Sequence, residues 1–91
     1  MSVRVRLPPL LRSLCGGKRE MSAEGASVSD VVSDLARAHP PFARHLFDEA
    51  GHIRTSIVFL HGGVLVRAGE AAAHGVRDGD EIVLTNALSG G

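Results

Sequence analysis

The sequence predicts an α+β domain in which a mixed β-sheet wraps across one main α-helix. Three observations carry this. Ser27 to His39 has helical apolar periodicity, five other segments are short and β-rich or alternating, and glycine- or proline-bearing turns separate them. The predicted order is β-β-α-β-β-β. One helix is covered by five strands only if they form a single sheet, which gives two layers and leaves the other sheet face partly exposed.

Each element has its own signal. Val3, Val5 and Leu7 alternate with Ser2, Arg4 and Arg6, a strand with one buried face. Gly16-Gly17-Lys18 supplies a turn, and Arg19 to Ala23 returns as a weakly marked second strand. In the helix, Val28, Val31, Val32, Leu35 and Ala38 follow the i, i+3, i+4, i+7 pattern. Ser27 is its N-cap, and Asp30 occupies the acidic position of a capping box. Pro40-Pro41 ends it. Phe42 to Phe47 reads as a short helical turn and Asp48 to Gly51 as a loop. Ser56 to His61 is a β-rich run, Gly62-Gly63 a tight hairpin turn, and Val64 to Arg67 the returning strand. Asp78-Gly79-Asp80 is a further turn, and Glu81 to Thr85 a last strand. The domain is therefore expected over 1–85, with a flexible tail over 86–91.

Composition narrows the function. Ninety-one residues allow one domain, and 44% hydrophobic residues make it globular. A formal net charge of zero, with three Phe and no Trp or Tyr, argues against nucleic-acid binding. Cys15 is the only cysteine, so an intramolecular disulfide and a cysteine-rich zinc site are excluded. It sits by the Gly16-Gly17 turn and reads as an incidental small residue. The five histidines have no HxxxH or HExxH spacing, and Asp78-Gly79-Asp80 does not continue as a calcium loop, so no metal is expected. Gly17-Lys18-Arg19 lacks the spacing of a phosphate loop. No nucleophile–base pair or cofactor loop emerges, so no catalytic residue is expected and the chain is not read as an enzyme. The start of the chain is unlike a signal peptide, and no window approaches a membrane span, so a cytoplasmic protein without a membrane partner is expected.

The chain's chemically special feature is its end, Ser89-Gly90-Gly91. Two glycines offer a bare α-carboxylate on a thin, pliable backbone that fits a narrow channel. Before it stand Val76-Arg77-Asp78-Gly79-Asp80-Glu81-Ile82-Val83-Leu84 and, after a short spacer, Leu88. A "DGDEI" turn feeding a last strand that ends in Gly-Gly resembles the MoaD/ThiS family of sulfur carriers, which have the ubiquitin-like β-grasp fold. The likeness covers essentially the whole chain. Val32-Ser33-Asp34-Leu35 and the loop from Pro40 to Arg54 resemble the longer, CysO-like type that supplies sulfur for cysteine synthesis. The family often has prolines just before the tail, where this chain has Asn86-Ala87, which leaves the tail less stiff.

The resemblance implies a mechanism and partners. The Gly91 carboxylate would be adenylated with ATP by an enzyme of the ubiquitin-activating type, and a sulfurtransferase domain or a sulfide source would then convert it to a thiocarboxylate. That sulfur would pass to a downstream synthase making cysteine or a sulfur-containing metabolite such as a thiosugar. The carrier itself would bind no cofactor; the ATP is the activating enzyme's. Asn86, Ala87, Leu88, Ser89 and Gly90 would form the tether. The outer sheet face would be the docking patch, with Phe59, Val83 and Thr85 as its partner-binding residues. The apolar run Ile57-Val58-Phe59-Leu60 leaves the facing of that strand open, because the inverted register buries Phe59. Other readings share the fold: a small subunit of molybdopterin synthase, a thiamine-pathway carrier, a modifier conjugated to lysines, or a non-covalent adaptor using only the sheet face.

Overall fold

The computed structural model describes residues 2–86. Five strands form one sheet: β1 (Ser2–Arg6), β2 (Glu20–Glu24), β3 (Ile57–His61), β4 (Val64–Arg67) and β5 (Glu81–Asn86). Their order is β2-β1-β5-β3-β4. β1 and β5 run parallel at the centre, and every other pairing is antiparallel. Three helices accompany them: α1 (Pro9–Arg12), α2 (Val28–Ala38) and α3 (Pro40–Leu46).

Alternation builds the sheet's inner face. Val3 and Val5 of β1, Met21 and Ala23 of β2, and Ile82 and Leu84 of β5 are all buried. They meet Val28, Val31, Val32 and Leu35 of α2 and Phe42 and Leu46 of α3 in one core. The Ser27 hydroxyl oxygen accepts from the Asp30 N–H at 3.1 Å, satisfying an N–H that the helix leaves unpaired. Ala36 takes the buried place expected of Ala38, which is exposed. Pro40 both stops α2 and opens α3, because a proline at the first helical position loses no hydrogen bond. Pro9 opens α1 in the same way, and Leu11 of that helix is core. Sequence periodicity missed α1, whose four residues are too few to show a repeat. No helix among the described residues is long and apolar enough to cross a membrane.

Gly62 and Gly63 both have positive φ, 59° and 83°, as a two-residue hairpin turn requires. Gly25 is small for another reason. A Cβ there would lie 2.7 Å from the Val31 backbone nitrogen and 2.7 Å from Asp30 Cβ, where β2 leads into α2. Backbone cannot swing aside as a side-chain tip can. We expect Gly25→Ala to cost about 1–3 kcal/mol, as overpacking does, read as a lowered urea midpoint. An unchanged midpoint would contradict this close approach.

Candidate functional site

The helices pack on one face of the sheet, and no described element covers the other. Odd and even positions sort the strands between the two faces. Ser2, Arg4 and Arg6 of β1, Glu81, Val83 and Thr85 of β5, and Leu65 and Arg67 of β4 lie opposite the core residues of their strands.

β3 decides which apolar residues the open face presents. Phe59 pairs with Leu84 and with Val66, and all three are buried, at 0%, 1% and 1% exposure. Phe59 is therefore core, which corrects the reading that put it on the docking face. Its ring belongs to the core cluster shared with α2 and α3, and the outer positions of β3 fall to Val58 and Leu60. Val83 and Thr85 do lie on the outer face and are half-buried there.

Register assembles these residues into rows. Leu65, Leu60, Val83 and Arg6 are consecutive cross-strand neighbours over β4, β3, β5 and β1. Arg67, Val58 and Thr85 form a second row beside them. Directly opposed side chains in such rows stand within contact range. Leu60 and Leu65 are 39% and 47% exposed, so the row is an apolar stripe open to water. Sequence reading missed both leucines as site residues. The signal that locates them is Arg67: a two-residue turn at Gly62-Gly63 places it opposite Val58, and a charged residue on that side turns Leu60 and Leu65 outward.

Charge frames the stripe. Arg4 and Arg6 each stand 3.9 Å from the Glu81 carboxylate. Two guanidiniums thus share one carboxylate, and both pairs are half-exposed, so their worth is small. Arg67 has no ion pair among the described residues. The stripe is bordered by guanidiniums on β1 and β4, with Glu20 and Glu24 further out on β2. A shallow cavity of about 400 Å³ at its hairpin end is lined by Leu60, Gly62, Gly63, Glu81 and Val83 among others.

Asn86, expected as the first tail residue, is the last residue of β5, its backbone paired with Ile57. The sheet thus runs one residue further than the sequence indicated, because β3 begins opposite that position. Ala87, Leu88, Ser89, Gly90 and Gly91 lie outside the described residues. β5 is directed away from the Gly62-Gly63 hairpin, toward the end where β1 stops and β3 starts. Cys15 lies elsewhere, its thiol 3.4 Å from the Arg12 carbonyl and 3.6 Å from that of Lys18. Among the described residues no three His, Cys, Asp or Glu side chains could hold a metal ion. This face presents an apolar stripe with a basic border, beside and on the last strand of the sheet.

No protein-family model matches the chain. The sulfur carrier protein CysO of Mycobacterium tuberculosis is 29% identical over 93 residues, with both chains covered in full. A chain of the Amycolatopsis orientalis BexX/CysO complex superposes with a TM-score of 0.80 at 28% identity, covering 98% of this chain and 99% of that one. Small archaeal modifier protein 1 of Methanosarcina acetivorans does so with a TM-score of 0.79 at 30% identity, covering 99% and 96%. The likeness runs from end to end in sequence and in backbone, and with it the chain belongs to the MoaD/ThiS-like family of ubiquitin-like sulfur carrier proteins, as a CysO-like member.

Proposed function

We propose that this protein carries sulfur as a thiocarboxylate on Gly91 and delivers it to a biosynthetic enzyme, with cysteine synthesis the pathway favoured. The observation that carries this reading is the full-length likeness to CysO in a chain whose last strand leads to a diglycine. The chemistry follows from the carboxylate. A Gly91 carboxylate oxygen attacks the α-phosphorus of ATP on an activating enzyme, and pyrophosphate leaves. Hydrosulfide supplied by the sulfur donor then attacks the acyl carbon, AMP leaves with the oxygen, and loss of the S–H proton gives the thiocarboxylate. The net change is sulfur for one oxygen, about 16 Da. The carrier supplies the tether and the recognised surface; ATP, the sulfur donor and the acceptor are held by its partners in the cytoplasm. Residues 87–91 span at most about 17 Å when extended, enough to enter a buried site.

Incubation with the activating enzyme, ATP and a sulfur donor tests this by intact mass. The partner enzymes are the adenylating enzyme and a downstream synthase. That a CysO forms a complex with BexX supports the idea that a carrier of this shape docks on a partner protein. The docking face is the outer stripe, with Val83 and Thr85 joined by Leu60 and Leu65. Leu60→Asp should weaken binding to the activating enzyme by about tenfold or more, roughly 1.4–4 kcal/mol. The fold should be intact, since Leu60 is exposed. Unchanged affinity in a titration of the folded variant would remove the stripe from the interface.

The likeness to an archaeal modifier favours a second reading, conjugation of Gly91 to lysines of other proteins. Isopeptide-linked adducts in cells, with no thiocarboxylate, would support it over the carrier.

A further inference from the structure

We propose that His74, His61 and Asp80 form a one-proton site that clasps the end of β3 to the segment leading into β5. His61 Nε2 lies 2.8 Å from Asp80 Oδ2, and His61 Nδ1 lies 2.8 Å from His74 Nε2. The two imidazoles stand edge to face at 90°, with centroids 5.0 Å apart. The same Asp80 oxygen accepts the Arg77 backbone N–H at 2.9 Å. All three side chains are half-buried.

The clasp sits where several elements meet. The His74 carbonyl accepts from the Val28 N–H at the start of α2, and the Asp80 carbonyl accepts from Arg4 of β1, both at 2.9 Å. His61 is the last residue before the Gly62-Gly63 hairpin. Joining His61 to both therefore ties the hairpin end of the sheet to the N-terminus of the main helix.

Proton counting gives the site its property. An ionised carboxylate only accepts. The Arg77 N–H, and after it the His61 imidazole, hold the Asp80 carboxyl below the usual aspartate range, so Asp80 is an acceptor throughout mild acid. His61 Nε2 must then carry a hydrogen. A neutral His61 accepts at Nδ1, so His74 Nε2 carries one too. One added proton leaves every bond in place: it enters at His74 Nδ1, or at His61 Nδ1 with His74 changing tautomer. A second proton sets N–H against N–H, breaks the imidazole–imidazole bond and brings two cations together. The pair therefore takes up its two protons in separated steps.

Among the described residues, Asp80 is the one carboxylate hydrogen-bonded to either imidazole. The connection and β5 bring Asp80, Arg77 and Glu81, and Glu81 is already shared by Arg4 and Arg6 of β1. α2 carries Asp30 in its first turn. β4 sets the uncharged Val64 opposite His61. The clasp is independent of what Gly91 carries.

NMR of the histidine ring signals in the full-length protein, from pH 8 to 4.5, tests the site. His39, His45 and His52, which lie outside the clasp, serve as internal references. His61 and His74 should give linked curves, the ring signals of each moving in both of two resolved steps. Both should be Nε2–H tautomers at pH 8. In His74→Gln, whose amide can still donate to His61 but does not titrate, His61 should titrate in one step. Should that variant not fold, the wild-type curves and tautomers decide alone. Coincident single steps for the pair, or an Nδ1–H tautomer of either ring at pH 8, would overturn the proposal.

Discussion

Phe59→Ala should destabilise the protein by about 3–5 kcal/mol, as emptying a well-packed aromatic site does. A chain of this length has only about 5–14 kcal/mol in total. The ring is fully buried, opposed by Leu84 on one side and Val66 on the other. These neighbours are held in the sheet by backbone hydrogen bonds and cannot collapse into the space. The cavity would open between the sheet and the helices, so the whole two-layer contact is weakened. Urea unfolding checks this: the midpoint should fall steeply with little change in slope, because the area exposed on unfolding is nearly the same. A loss under about 1 kcal/mol, coupled with weaker binding to the activating enzyme, would return Phe59 to the outer face. Leu60→Asp, at the neighbouring residue, should instead alter binding and leave stability nearly intact.

That pair of residues marks the boundary of what the sequence makes legible. The β-grasp order was readable because α2 has a full amphipathic stripe, β1 and β5 alternate cleanly, and the glycine turns sit between them. Where apolar residues occupy both parities, as in Ile57-Val58-Phe59-Leu60, period alone assigns no face. Facing there is set by β5 and β4 through the register, information that lies in other segments. α1 was hidden for a different reason: its evidence is the entry proline Pro9 and one buried leucine, Leu11, rather than a repeat. The His61–His74 pair was hidden too. Thirteen residues apart, the two are joined only by the sheet's tertiary geometry. The β-rich run, the hairpin turn and the Asp78-Gly79-Asp80 turn, by contrast, stand where local chemistry put them, with Gly79 at a φ of 85°.

The chain's chemistry is assigned to one carboxylate, and its loss should be the most complete functional effect of any single change. Removing Gly91 moves the α-carboxylate one residue, about 3.5 Å, back along the tether. A site that aligns a carboxylate with ATP depends on position at a finer scale than that. The described domain, ending at Asn86 in β5, should fold unchanged, so binding to the activating enzyme through Leu60, Leu65, Val83 and Thr85 should persist while chemistry stops. The direct measurement is intact mass after incubation with the activating enzyme, ATP and a sulfur donor, followed by fragmentation of the C-terminal peptide. The full chain should gain about 16 Da, located on Gly91, and the chain lacking Gly91 should gain nothing. Equal gain by the shortened chain, or a sulfur found on Cys15 or any residue other than Gly91, would contradict the account.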